Sequence, residues 1–163
     1  MRLFKKFAAY YKPYKAVFAL DLFCAFVTSA IDLAFPQLLR ILSSTFFMQP
    51  GNVILAGLLK LTAALFGLYV IRSACRFYVT YQGHVMGAKM ESTMRQDLFD
   101  QYEKFSFSYY DHHNTGKMMS ILVSDLFEIS ELAHHGPENI FISLVKIIGS
   151  FILLAEISVP LTL

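Results

Sequence analysis

Apolar positions in this chain gather into three long blocks, and the intervals between them follow a different rhythm. Ala16 to Leu42 carries only the charges Asp21, Asp32 and Arg40, Val53 to Val79 only Lys60, Arg72 and Arg76, and Ile140 to Val159 only Lys146 and Glu156. About 20 residues of helix cross a bilayer, so the pattern predicts three spans, at about 16–42, 53–79 and 138–159. Beyond the second block the pattern becomes striped. Met86, Met90, Met94, Leu98 and Tyr102 recur every four residues, no proline occurs from Tyr81 to Ser106, and Glu91–Arg95 and Asp100–Lys104 have the spacing of helical ion pairs. The second helix is therefore expected to continue past the bilayer by roughly 39 Å, at about 1.5 Å per residue.

The return is predicted by a second stripe, Met118, Leu122, Leu126, Ile129 and Ala133. Between the stripes, Asp111 and Asn114 are turn formers whose side chains can bond nearby backbone groups, and Gly116 can adopt a left-handed conformation that other residues avoid. One helix is expected to end near Ser106 and the next to begin near Gly116, giving a hairpin over about 81–136. Gly136-Pro137 is expected to mark a kink or a restart. At the amino terminus Leu3, Phe7, Tyr10 and Tyr14 share a helical face with Arg2, Lys5, Lys6 and Lys12 around it. Residues 1–14 thus read as an amphipathic helix lying flat at the inner headgroups until Pro13 turns the chain inward.

Composition agrees with a membrane setting: 56% of residues are hydrophobic and 16% charged, against about 25% charged in soluble domains. The net charge of +2 is unevenly placed. Arg2, Lys5, Lys6, Lys12 and Lys15 precede the first span, none follows between 43 and 52, and Lys89, Arg95, Lys104 and Lys117 lie in the second connector. The amino terminus is accordingly expected in the cytoplasm and the carboxyl end of the chain at the outer face. This asymmetry is not a nucleic-acid footprint. Asp21 breaks the first apolar block early and no small-x-small site follows it, so the segment reads as uncleaved.

Intramembrane carboxylates usually face protein or water, which makes Asp21 and Asp32, about three helical turns apart, candidates for a cavity. Arg72 and Arg76, with Lys60, could pair with them, and Arg72 and Arg76 could instead snorkel; pairing or snorkelling outweighs substrate contact in this reading. His112-His113 and His134-His135 suggest a metal at first sight. Adjacent helical residues diverge by about 100°, and no third ligand is near in sequence, so no metal site is expected. Cys24 and Cys75 fall within spans and read as small apolar residues with no disulfide. Gly116-Lys117-Met118 lacks both the earlier glycine and the Ser or Thr of a phosphate loop, so no ATP site is expected here.

Arg95 with Leu98-Phe99, then Tyr109, Tyr110 and Asp111, then Thr115-Gly116, Ser120 and Asp125 resemble the transmembrane domain of ATP-binding cassette exporters of the six-helix half-transporter type. The resemblance covers the whole chain and about half of that family's membrane domain. It implies an all-α membrane protein whose residues 15–163 form the first half of such a domain, with second and third helices extended into the cytoplasm and joined by a coupling helix. It assigns Tyr110, Asp111, His112, His113, Asn114, Thr115, Gly116 and Lys117 to the coupling segment. Tyr110 and Asp111 would anchor that segment, Thr115 and Gly116 would shape its exit, and Arg95, Ser120 and Asp125 would support the hairpin. Ile121 departs from the arginine common there in the family. The resemblance further implies ATP and Mg in a separate nucleotide-binding domain, the remaining transmembrane helices, a homo- or heterodimer of half-transporters, an unknown exported substrate and a multi-pass place in the plasma membrane. On this reading the chain is a fragment, with no catalytic site of its own. The competing readings are a self-contained three-span scaffold or regulatory subunit that binds a soluble partner through the hairpin, and, last, an intramembrane enzyme using Asp21 and Asp32.

Overall fold

A computed structural model of the protein describes residues 2–46 and 51–162, and among them every regular element is helical. The elements are α1 (Arg2–Ala9), a 3-10 turn (Lys12–Tyr14), α2 (Lys15–Phe46), α3 (Gly51–Tyr102), α4 (Phe107–His112), α5 (Thr115–Ser120), a π turn (Ile121–Asp125), α6 (Leu126–Ile157) and α7 (Val159–Thr162). Three helical stretches, Lys12–Ile41, Gly57–Tyr102 and Thr115–Ile157, are long and apolar enough to cross a membrane. Residues 47–50, in the connector expected between the first two spans, lie outside the described residues, as does the side chain of Leu3.

The chain divides into two compact units. One comprises Met1–Leu20 and Thr80–Glu138, the other Asp21–Val79 and Asn139–Leu163, so α2, α3 and α6 each contribute a segment to both. In the first unit the methionine stripe forms the core. Met86, Met90 and Met94 are buried with Leu122, Leu126 and Ala133, and Leu98 and Tyr102 pack against them. Unbranched, polarizable methionines suit this place, because they fill the irregular space between two helices and the aromatics of a third segment. Those aromatics are Phe7, Tyr10, Tyr11, Tyr14 and Phe18, all against the same core. The aromatic face assigned to lipid headgroups in the sequence reading is thus applied to protein at Phe7, Tyr10 and Tyr14.

Several expectations are refined. α3 ends at Tyr102, four residues before Ser106, and Ser106 instead occupies the extended position that precedes α4. Gly116 lies inside α5, and no described glycine has positive φ, so the turn does not use glycine's left-handed freedom. The turn is made by Asn114, whose side chain accepts the Lys117 amide at 3.1 Å and caps α5. α6 runs through Pro137 without a restart. Ile129 is exposed and Ser130 buried, while Leu122, Leu126 and Ala133 keep the expected buried positions, and a π turn occupies Ile121–Asp125. Asp100 accepts from Gln96 at 2.6 Å, while Lys104 lies beyond the helix end.

In the second unit Cys24, Ala25 and Val79 are buried together, with Cys75, Tyr78, Phe141 and Ile142 around them. Both cysteines are free thiols. Large apolar side chains on the outer surfaces, among them Phe66, Phe77, Leu59 and Ile148, are exposed, as expected of helices solvated by lipid tails.

Candidate functional site

The hairpin tip is built from two short helices. Tyr110 Oη donates at 2.5 Å to the Tyr102 carbonyl at the end of α3, which also accepts from the Phe105 amide at 3.0 Å. Tyr109 stacks on His113 with ring centroids 3.8 Å apart and packs against Phe105 at 4.2 Å. His113 Nδ1 lies 2.8 Å from the Tyr109 carbonyl and donates to it. These contacts are local, and every residue from Asp111 to Lys117 is exposed. Phe107, at 93% exposure, projects an apolar ring from the same tip.

Behind the tip the two flanking helices are fastened together. Arg95 Nε donates to the Leu122 carbonyl at 3.0 Å, inside the π turn, and the same guanidinium pairs with Glu91. Glu91 in turn accepts from Ser130 Oγ at 3.3 Å. The wide turn disturbs the regular ladder of carbonyls, and Arg95 supplies a donor there from the neighbouring helix. Ser120 and Asp125, assigned to the support of the hairpin, are both exposed.

Three of the charges within the apolar blocks meet as partners. Asp32 accepts from Arg72 Nε at 2.6 Å and from Lys146 Nζ at 2.8 Å, so α2, α3 and α6 meet at one carboxylate. Arg72 also lies over the Tyr69 ring at 5.7 Å. Beside them is a cavity of about 260 Å³ lined by Ile31, Asp32, Phe35, Leu65, Tyr69 and Arg72, among others. Asp21 is buried and Arg76 exposed, and neither lines this cavity. Lys146 is the partner that sequence reasoning missed, since nothing local relates it to Asp32.

A second group was also invisible in sequence. The fold brings His84 of α3 and Glu131 of α6 beside His134 and His135, with one potential ligand atom from each lying within 4.8 Å of all the others. Glu131 lies within four residues of both histidines on α6, and only His84 is brought in from a distant part of the chain. His112 and His113, by contrast, sit at the exposed tip.

Three apolar helices of spanning length, the second and third joined through an exposed tip, define a polytopic helical membrane protein. Residues 18–163 match the family described as the ABC transporter transmembrane region, and the chain belongs to that family. It is 42% identical over 150 residues to the "Uncharacterized ABC transporter ATP-binding protein YwjA" of Bacillus subtilis, covering 91% of this chain and 25% of that protein. It is 31% identical over 129 residues to an ATP-dependent lipid A-core flippase of Idiomarina loihiensis, covering 78% and 22%. The chain therefore spans about a quarter of the length of the curated relatives it matches.

Proposed function

We propose that the chain forms the amino-terminal part of the membrane domain of an ATP-driven exporter, and that residues Tyr110 to Lys117 pass to the spans a motion generated by nucleotide hydrolysis in a separate domain. The observation that carries this reading is the contrast between an exposed tip and the fastened helices behind it. A push on Asp111–Lys117 meets little resistance locally, whereas α3 and α6 are held by the methionine core and by Arg95, so the push moves them together. Binding energy at a distant site can act on transport only through such a two-state mechanical element. On this reading ATP and Mg²⁺ belong to the nucleotide-binding domain, the amino terminus faces the cytoplasm of a plasma-membrane protein, and two half-transporters pair as a homo- or heterodimer. The cavity beside Asp32 and Arg72 contributes one wall of the outward pathway.

Likeness to a lipid A-core flippase makes an amphiphile a fitting first substrate to try. The protein, joined to whatever its gene encodes downstream, is expected to move a fluorescent lipid or an amphiphilic dye across proteoliposomes with ATP, and to show ATPase activity that rises with that substrate. A stop codon after Leu163, with no ATP-driven movement, would support the scaffold reading in its place.

A further inference from the structure

We infer that His84, Glu131, His134 and His135 form a binding site for a borderline divalent transition-metal cation such as Zn²⁺, tying α3 to α6. His134 is the most buried of the four. It is 3% exposed, its Nδ1 lies 2.9 Å from the Ser130 carbonyl, and its buried Nε2 has no hydrogen-bond partner. A carbonyl only accepts, so Nδ1 carries the proton and Nε2 presents a lone pair. A buried nitrogen left in that state is costly unless something accepts the lone pair. The imidazole tautomer is thus fixed by a backbone carbonyl on one side and open for ligation on the other, which is how metal-bound histidines are held.

The lone pair faces the other ligands. Glu131 Oε1 is 4.0 Å from His134 Nε2 and 4.0 Å from His84 Nδ1, and Glu131 Oε2 is 3.7 Å from His135 Nε2. These separations are too long for hydrogen bonds and slightly longer than the roughly 3.4 Å between ligand atoms around a tetrahedral cation at about 2.1 Å. Across the group, whose ligand atoms lie within 4.8 Å of one another, shifts of up to about 0.7 Å per atom would close the shell. On its far side His135 Nδ1 is 3.8 Å from Glu138 Oε2, so a carboxylate stands ready to orient that ring as well.

The backbone makes room for this arrangement. A Cβ at Gly87 would come 2.7 Å from His134 Nδ1, and one at Gly83 would lie 3.6 Å from His134 Cδ2. Glycine at position 87 therefore leaves the space that the imidazole fills, whereas a Cβ at Gly83 would make only ordinary contact with the ring. Three imidazoles and one carboxylate suit Zn²⁺, Co²⁺ or Ni²⁺ and not Ca²⁺ or Mg²⁺, which prefer oxygen.

The test is titration of the tag-free full-length protein in lipid nanodiscs with Zn²⁺ by calorimetry, and with Co²⁺ by its visible absorption. The expected result is one saturable site, insensitive to excess Mg²⁺, with the intense bands of four-coordinate Co²⁺. His84→Ala and His134→Ala should each weaken binding by at least about 10-fold. Gly87→Ala should do the same while the far-ultraviolet circular dichroism stays unchanged, because alanine favours helix and only displaces the ring. His112→Ala and His113→Ala should bind as the parent does. Absence of saturable binding, six-coordinate Co²⁺ bands alone, or binding that survives His134→Ala and Gly87→Ala would overturn the proposal.

Discussion

Single residues in this chain are governed by whether a polar group finds its partner. Asp32 shows the rule most directly, with Arg72 and Lys146 at hydrogen-bond distance from its two oxygens. Removing the carboxylate leaves two cations close together in an apolar setting, where an unpaired charge costs about 2.5 to 3.5 kcal/mol at mid-bilayer. Partial exposure of all three side chains reduces that figure. Asp32→Asn is therefore expected to cost about 2 kcal/mol, read as a lowered thermal midpoint in nanodiscs, while Asp32→Glu should recover more than half of the loss. A midpoint for Asp32→Asn equal to the parent's would show that the carboxylate is dispensable. The sequence revealed the need for such pairing, since charges in apolar blocks must be compensated, but not the identity of the partners. Arg72 was among the candidates named; Lys146 was not, because the separation of 114 residues leaves no local trace. The same reason hid His84 from His134-His135. Gly116 fails for another reason: glycine is compatible with ordinary helix, so its presence in a turn region does not prove a left-handed turn.

At the scale of elements, periodicity was the dependable signal. The every-fourth-residue stripe of Met86, Met90 and Met94 is the core of its unit, as buried helical faces should be. The π turn was illegible, since no proline or glycine within residues 121–125 marks it, and the Arg95 that donates to its Leu122 carbonyl comes from α3. Docking of the amino-terminal segment was half legible: the aromatic face could be read, its target could not. Tyr10 Oη donates to Asp97 Oδ2 at 2.7 Å. That hydrogen bond, then burial and the nearby carboxylate charge, raise the phenol's pKa above its usual value near 10. A raised folded-state pKa contributes stability that is fully present below the unfolded value and is lost as pH rises through the folded one. The segment's docking should therefore be constant from neutral pH to about 10 and weaken above it. Hydrogen exchange of residues 6–14, measured on either side of pH 10, should show this loosening in the parent. Tyr10→Phe should be looser at neutral pH and change less between the two. Equal alkaline loosening in both would assign the effect to another group.

For the whole molecule, membership of the ABC transporter transmembrane family and three helices of spanning length make it a multi-pass membrane protein of a transport family. Fold class was fully legible because bilayer thickness imposes a length on every apolar block. The position of the tip was legible from its turn residues, and its mechanical role rests on the proposal above. Asp111 and His112 are exposed, so replacing them disturbs little of the fold. Surface changes of this kind typically alter stability by less than about 0.5 kcal/mol. In the intact exporter the double variant Asp111→Ala/His112→Ala should bind ATP and fold as the parent does. The decisive measurement is substrate transported per ATP hydrolysed in proteoliposomes. A fall of at least about 10-fold in that ratio, with ATPase activity no longer raised by substrate, is the predicted result. An unchanged ratio with normal stimulation would contradict the account and leave Asp111–Lys117 an ordinary connector.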